Sequence, residues 1–587
     1  MKKFITRIPL WVRPLLGIFL VVLGSILALH AAVSIELFVL LIGAGLIFAG
    51  GARIVDAFTP TSAADDAWPW LAYVSGFLLV GAGIATLLWR ESTLPMLALA
   101  VSLTLLVSGA ISLMAVFRRG AEHRARAAIG SLAALLTGAL VVLWPKLSLW
   151  AFGVFLGGWL LFVGLRLILE FLARDASPNS KRRARGLRGF AQFTASSLAL
   201  LLAIVMVLVT SWLHAGDPRL VPDAFYTPPT DLPSEPGTLL RAEALTDGIP
   251  ENANAWRILY TTTNPDDSPA VASGTVVAPR DHDSAALPVV SIAHGTKGIT
   301  PRCAPSLSAA PLSDGPAAAL RELVSAGWVG ITSDYVGLGT AGPHPYLVGE
   351  AEGRNVLDAY RAAHQLREGF TLRNDTIIWG HSQGGHGALF SAAIAKSYAP
   401  EISVLGVAAL APATNLVDLA LGVKDAAAGK VVSSYIAAAW NAVYPELNVA
   451  SLITPGYDRT VQRIGERCFD GRDALSGIIA GTQLFDAVIP EAALNGPLGD
   501  KLRENSVTAD IDYPLFVAQG LADQLVLPTM QEQWVAQRCA AGQAMEYREY
   551  PGLDHLPLVA DDSPLTNDLL AWAEDRLTHK RPINTCP

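Results

Sequence analysis

Charge is what this 587-residue chain has least of: 16% of its residues are Asp, Glu, Lys or Arg, against 52% hydrophobic. An ordinary globular chain carries about a quarter charged residues. The shortage sits almost wholly before Trp212. Residues 1–213 hold 18 Lys+Arg and 8 Asp+Glu, net +10, whereas the remainder holds 25 and 43, net −18. Basic clusters are missing from the acidic remainder, which excludes a nucleic-acid partner there, because phosphate binding needs grouped Lys and Arg. Cysteine is scarce too, with four residues and none before Cys303. Neither a C-x-x-C pair nor an H-E-x-x-H run occurs, so no structural or catalytic zinc site is expected. No cofactor is expected either.

The apolar first part consists of runs long enough to cross a bilayer, for which about 20 residues suffice. Seven are expected, at roughly 12–32, 36–55, 69–89, 94–117, 127–144, 148–171 and 190–213. Lys2, Lys3 and Arg7 precede the first. Arg118, Arg119, Arg124 and Arg126 fall between the fourth and fifth, and Arg174, Lys181, Arg182, Arg183, Arg185 and Arg188 between the sixth and seventh. The alternate loops offer only Arg90 and Lys146 as bases. Basic loops stay cytoplasmic, so the N-terminus is expected inside and everything after His214 outside. Without a small-residue cleavage site and with further spans behind it, the first run does not read as a removed signal peptide. Arg166 and Glu170 share a helical face near the cytoplasmic end, where both can reach water or each other.

The same region repeats. "GIFLVVLG" at Gly17, "GFLLVGAG" at Gly76 and "GSLAALLTG" at Gly130 each open a hairpin, 59 and 54 residues apart. "GARIVDAF" at Gly51, "GAISLMAVF" at Gly109 and "GLRLILEF" at Gly164 each close one, 58 and 55 apart. Three such hairpins make a six-helix bundle whose small residues allow close helix contact. Over about residues 10–175 the pattern resembles the short-repeat membrane proteins of the HdeD acid-resistance type.

Beyond the bundle, "DPRLVPDAFYTPPTDLPSEPGT" holds six prolines. Such a segment is extended and semi-rigid, so residues 214–240 are expected to form a stalk or strap. From 241 to 587, strand-like runs ("RILYTTT", "ASGTVVAP", "LPVVSIAHGT", "GWVGITSDYVG", "DTIIWGHSQG", "VLGVAALAP", "YPLFVAQGLAD", "AMEYREYPG") alternate with helical patterns near 315–326, 349–368, 385–399, 529–541 and 564–578. That alternation predicts a mostly parallel sheet covered on both faces. Residues 417–508 interrupt it, look helical and are too long for a plain loop, which marks an inserted cap. All four cysteines fall in this outer part, where an oxidising compartment favours two disulfides. Three pairings are open. Cys303–Cys468 with Cys539–Cys586 is preferred, the first tying cap to sheet.

The chemistry centres on "IIWGHSQGGH". A serine hydroxyl becomes nucleophilic only with a base in contact, a third group to orient that base, and donors for the oxyanion. Gly380-His381-Ser382-Gln383-Gly384 follows a strand-like run and precedes a helical one. In that setting G-x-S-x-G is the nucleophile elbow of an α/β-hydrolase. The acid and the histidine should then follow in that order. "FVAQGLADQLVLP" places Asp523 beyond one strand and "YREYPGLDHLPL" places His555 after the last. Asp554 adjoins His555 but should point elsewhere, and His381 and His386 read as packing or polar support. Gln383 should supply one oxyanion N–H. Gly295 or Thr296 of "SIAHGTKG" is a candidate for the other, and Asp334 of "SDYVGLGT" a second.

"FYTPPTDLPSEPGTLLR", "AHGTKGITPRCAPS", "SDYVGLGTAGPHPYLVGEAEGRNVLDAYRAA" and "WGHSQGGHGALF" together resemble the secretory lipase family, of the lipase-A type, from about Asp223 to Pro587. The resemblance implies hydrolysis of acylglycerol-like carboxyl esters under a helical cap, with Ser382, Asp523 and His555 as the triad. It also assigns Asp334 to the oxyanion hole. The expected partner is therefore a lipid or small ester. The expected architecture is an all-α transmembrane bundle over 1–213 followed by a membrane-tethered, extracytoplasmic α/β-hydrolase domain. An acyltransferase would use the same triad. A stress-response protein whose outer domain only binds lipid would not need Ser382.

Overall fold

A computed structural model describes residues 18–22, 43–51, 54, 69–88, 94–116, 121–143, 201, 204–213 and 215–586, apart from 219, 283–284 and 309–318. The chain divides into two compact units, Met1–His214 and Ala215–Pro587.

In the first unit the described helices include Pro69–Leu88, Leu94–Val116 and Ala121–Leu143, with shorter helical stretches at 43–51 and 204–213. Their contacts explain the glycine pattern. A Cβ on Gly50 would lie 2.6 Å from the Gly76 carbonyl oxygen, and one on Gly83 would lie 2.6 Å from that of Gly43. In the next pair, a Cβ on Gly109 would come within 3.1 Å of the Ser131 carbonyl oxygen, while Ser102 Oγ donates to the Gly138 carbonyl at 2.7 Å. Each helix thus presents two small residues seven apart to an antiparallel neighbour, and backbones meet where a larger side chain would hold them off. Gly43 and Gly50 lie 59 residues before Ser102 and Gly109, and Gly76 and Gly83 lie 55 before Ser131 and Gly138. The sequence repeat is therefore a repeat of one helix–helix contact. Among the described residues these tight pairs join successive hairpins of the sequence pattern, rather than the two arms of one hairpin.

Within the described residues no helix is long and apolar enough to cross a membrane. The sixth expected span, most of the first and seventh, the Arg166–Glu170 pair and the basic loop at 174–188 lie outside the described residues. What is described turns large apolar side chains outward: Phe77, Leu78, Leu103 and Leu208 are all more than half exposed.

The second unit is built on nine strands: β1 (Leu239–Leu245), β2 (Ala253–Thr263), β3 (Pro269–Pro279), β4 (Leu287–Ala293), β5 (Val329–Ser333), β6 (Leu372–His381), β7 (Ser403–Leu410), β8 (Leu515–Gly520) and β9 (Glu546–Tyr550). Their spatial order is β1-β2-β3-β5-β4-β6-β7-β8-β9. The first three strands and β5 pair antiparallel, and β5 through β9 run parallel. The sheet is thus mixed, and its parallel part is covered on both faces. Ile377 and Trp379 enter one hydrophobic core and Ile378 the other, as the two-residue period of a strand dictates. Eight of the nine strands fall on the expected runs. The ninth, β1, reads "LLRAEAL" and escapes the pattern because it is an edge strand with exposed Glu243 and Ala244.

Between β7 and β8 the helices Leu416–Gly422, Ala427–Val443, Asp458–Gly465, Gly471–Gln483 and Pro497–Glu504 occupy the segment expected to form a cap. Cys303 and Cys468 are bonded, as are Cys539 and Cys586, with Cα atoms 5.3 and 5.5 Å apart. Beside the first disulfide, buried Asp473 of this segment receives Arg302 and, at 2.8 Å, Arg467. Part of the proline-rich segment is a strap packed on the unit: Phe225 and Tyr226 are buried and Arg241 Nη1 donates to the Ala224, Phe225 and Thr227 carbonyls. The Cys303–Cys468 bond closes 165 residues of sequence, so the chain-entropy effect is about 5 kcal/mol. Cys539–Cys586 closes 47 residues, so Cys303→Ser with Cys468→Ser should destabilise the second unit by only about 1 kcal/mol more than Cys539→Ser with Cys586→Ser, which urea midpoints check.

Candidate active site

β6 ends at His381, and the helix Gln383–Tyr398 starts two residues later. Ser382 makes that reversal alone, at φ 58° and ψ −120°. A positive φ is costly for a residue with a Cβ and persists only where its surroundings enforce it. Here they do. Ser382 N–H donates to the Leu410 carbonyl on β7 at 2.9 Å, and its own carbonyl accepts from His386 N–H at 3.1 Å. The flanking glycines are there because backbone passes where Cβ atoms would sit. A Cβ on Gly380 would lie 2.1 Å from the Gly384 carbonyl oxygen, and one on Gly384 would lie 2.0 Å from that of Ala293.

Two loops at the same sheet edge bring the partners. Asp523 follows β8, with Oδ1 accepting from Leu525 N–H at 2.8 Å and Val526 N–H at 2.9 Å. Its Oδ2 faces His555 Nδ1 at 2.7 Å, and His555 Nε2 stands 2.9 Å from Ser382 Oγ. A carboxylate accepts, so Nδ1 carries the hydrogen and Nε2 is left to receive the serine proton. Asp523 and His555 are buried, and Ser382 is partly exposed. Asp554 does point elsewhere: its Oδ1 accepts from the backbone N–H groups of Gln524 and His555, so it joins the two loops instead of meeting the ring.

The oxyanion candidates separate. Gln383 begins the helix, where first-turn amides have no intrahelical acceptor. Gly295 is adjacent to the nucleophile, since a Cβ on it would lie 3.8 Å from Ser382 Cβ. Thr296 follows it, with Oγ1 2.8 Å from Tyr346 Oη. Asp334, by contrast, has no group to spare. Its N–H donates to the Ser273 carbonyl at 2.7 Å, and its carbonyl faces His294 Nε2 at 3.1 Å. Its carboxyl accepts from Ser273 Oγ at 2.5 Å and from both the N–H and the hydroxyl of Ser306. Fully buried, with its pKa raised by desolvation, Asp334 ties β3 to the 305–307 turn. The expectation that it serves the oxyanion hole is corrected on this accounting.

Three further histidines surround the site, each with its pKa lowered chiefly by burial. His294 is lowered to about 4, His344 to about 3, and His381 well below the usual range. His381 Nε2–H donates to the His555 carbonyl at 3.1 Å, which steadies the loop carrying the base. These depressed values set a pH dependence. The unfolded chain binds a proton at each site near pH 6.5, while the folded one resists until far lower. Stability is then full above about 6.5 and falls as pH drops from there towards about 3. Thermal melting between pH 7.5 and 4 should show this decline, and His344→Asn should flatten it.

A cavity of about 310 Å³ opens beside His294, lined also by Lys297, Arg302, Cys303, Cys468 and Asp473. Ser382 does not line it, so it is not assigned as the ester pocket. Sequence reasoning missed Glu352, His344 and Asn505, which hold the first turn of the nucleophile helix. The stretch "GEAEGRNVLD" holds two buried acids, Glu352 and Asp358, and nothing in its pattern singles out Glu352.

A mixed sheet with a serine elbow, and with acid and base on the last two strand loops, defines an α/β-hydrolase. Within that class, residues 316–585 match the model of the secretory lipase family. Residues 15–84 and 74–133 match a short repeat of unknown function, DUF308. A secreted triacylglycerol lipase of Malassezia globosa is 33% identical over 225 residues, covering 35% of this chain and 47% of that one. Lipase 5 of Candida albicans is 24% identical over 398 residues, covering 62% and 82%. A probable inactive lipase of Mycobacterium tuberculosis is 25% identical over 390 residues, covering 61% and 82%. The chain thus spans about half of the first relative and most of the other two. Candida antarctica lipase A in its closed state superposes with a TM-score of 0.52 at 19% identity, over 63% of this chain and 89% of that one, and shares the fold.

Proposed function

We propose that the second unit hydrolyses carboxyl esters of lipids through an acyl-enzyme on Ser382, with His555 as general base and acid and Asp523 as its orienting carboxylate. Since one relative is a probable inactive lipase, the family match alone does not carry this. The supporting observation is the unbroken path from Asp523 through His555 to Ser382, at 2.7 and 2.9 Å. In the first half-reaction Ser382 Oγ adds to the ester carbonyl carbon and its proton passes to His555 Nε2. The tetrahedral oxyanion would be met by the Gln383 N–H and by the Gly295–Thr296 loop, with the helix Gln383–Tyr398 turning its positive end towards the charge. Collapse breaks the ester C–O bond, and the departing alkoxide takes the proton from His555. Water then adds to the acyl-enzyme as His555 accepts its proton, and the second collapse returns that proton to Ser382 and frees the acid.

The first unit is proposed as a multi-pass tether that keeps the N-terminus cytoplasmic and the hydrolase outside. Its support is the seven apolar runs, the alternation of basic loops and the outward-facing apolar side chains. Two disulfides fit an oxidising compartment on the outer side. The domain boundaries at 213 and 240, with a cap at about 417–508, belong to the same reading.

Both parts are tested together. A fluorophosphonate added to intact cells should label the full chain at Ser382, and external protease should release an ester-hydrolysing fragment. Labelling only after lysis would refute the topology, and labelling that survives Ser382→Ala would refute the nucleophile. p-Nitrophenyl esters of graded chain length should then rank acyl preference. Product analysis with an added alcohol separates hydrolysis from acyl transfer.

A further inference from the structure

Behind the elbow lies a buried polar chain that the steps above do not use. Glu352, on the helix Gly349–Ala363, has no exposed surface, and neither does His386. Its Oε1 accepts from Gln383 Nε2 at 2.8 Å and from Leu347 N–H at 2.9 Å. Its Oε2 faces His386 Nδ1 at 2.8 Å. On the ring's far side His386 Nε2 stands 2.7 Å from the Asn505 carbonyl oxygen, at the end of the cap segment. Asn505 Oδ1 in turn accepts from Gly349 N–H at 3.0 Å.

A carbonyl oxygen only accepts, so His386 Nε2 carries a hydrogen. One more proton must then lie between Nδ1 and Oε2, because two lone pairs facing each other at that distance in a dry interior would repel. The pair is thus a single hydrogen-bonded unit rather than two separate polar groups. Its other anchor is the Gln383 side chain, whose Nε2 also reaches His344 Nε2 at 3.3 Å. Gln383 and His386 both sit in the first turn of the nucleophile helix, so one carboxylate restrains that turn at two points.

We propose that Glu352, acting with His386, is a positioning residue for the oxyanion donor: it fixes the first turn of the nucleophile helix, and with it the Gln383 N–H, relative to Ser382. This rests on the proposed hydrolysis at Ser382. Misplacing a preorganised donor costs transition-state binding and leaves ground-state binding largely intact. The defect should therefore appear in kcat and spare KM.

The test uses the full-length protein in detergent, with competent sites counted by fluorophosphonate titration and kcat expressed per titrated site. Glu352→Asp draws the carboxylate back by one methylene. It should lower kcat about 10-fold with KM within about 2-fold, and slow labelling of Ser382 by a similar factor. Glu352→Gln can still accept from Gln383 and Leu347 and can donate to a neutral His386, so its kcat should stay within about 3-fold of wild type. Glu352→Leu can do neither and should fall furthest. If Glu352→Leu does not fold, the Asp and Gln variants still decide. An Asp variant with wild-type kcat per site, or a Gln variant no better than Asp, overturns the proposal. Turnover that persists in Ser382→Ala would instead sink the hydrolysis reading, which this comparison leaves distinguishable.

Discussion

Ser382→Ala is expected to lower kcat for p-nitrophenyl ester hydrolysis by about 10⁶-fold, leaving melting temperature and KM nearly unchanged. The residue contributes little to packing, and removing Oγ leaves the turn intact, because Ser382 is held by backbone bonds to Leu410, His386 and Ala413. Asp523→Asn should cost about 10⁴-fold. The amide would still accept from Leu525 and Val526, but it would turn an N–H towards Nδ1 and favour the wrong tautomer. Combining the two should add almost nothing to Ser382→Ala, because the groups act as one unit. Turnover measured beside active-site titration checks all three. Retention of more than about 1% activity in Ser382→Ala would mean another nucleophile.

Gly384→Ala carries the largest expected structural effect. The added methyl would lie 2.0 Å from the Ala293 carbonyl oxygen, 2.6 Å from the Ala293 carbonyl carbon and 2.7 Å from the His294 carbonyl oxygen. All three are backbone atoms at the end of β4, which is hydrogen-bonded on both sides to β5 and β6, so no flexible side chain can yield. The helix Gln383–Tyr398 would have to lift from the sheet, at a cost of about 3 kcal/mol or more. The shift would also move the Gln383 N–H and the His294–Gly295 loop apart. A lower urea midpoint should accompany loss of activity in whatever fraction folds. Gly385→Ala meets the Pro412 side chain at 2.8 Å and its Cα at 2.9 Å, and should be milder because fewer backbone atoms oppose it. Equal midpoints for wild type and Gly384→Ala would show that the strand and helix are not packed as described.

Much of the site is legible in sequence because the chemistry demands local features. The elbow needs glycines flanking the serine, and the acid and histidine must follow strands in chain order. Those constraints pick out Ser382, Asp523 and His555 among many serines, acids and histidines. Eight strands are readable because buried parallel strands are continuous apolar runs. The edge strand β1 is not, because half of it faces water. Asp334 misled because a motif carries identity without showing where hydrogen bonds go. Its carboxyl satisfies Ser273 and Ser306 and its amide satisfies β3.

The sequence by itself determined eight of the nine strands and the alternating helices of the second part, and it singled out Ser382, Asp523 and His555, which the structure brings within hydrogen-bonding distance. Each of these follows from local periodicity or from spacing along one stretch of chain. Tertiary structure alone decided which of three disulfide pairings forms, which glycines are obligatory, and what Asp334 holds. It also decided that Glu352, 34 residues from His386, stands with Oε2 2.8 Å from its Nδ1. Those facts depend on distances between segments remote in sequence, set by the packing of helices and loops against the sheet rather than by any pattern within one segment.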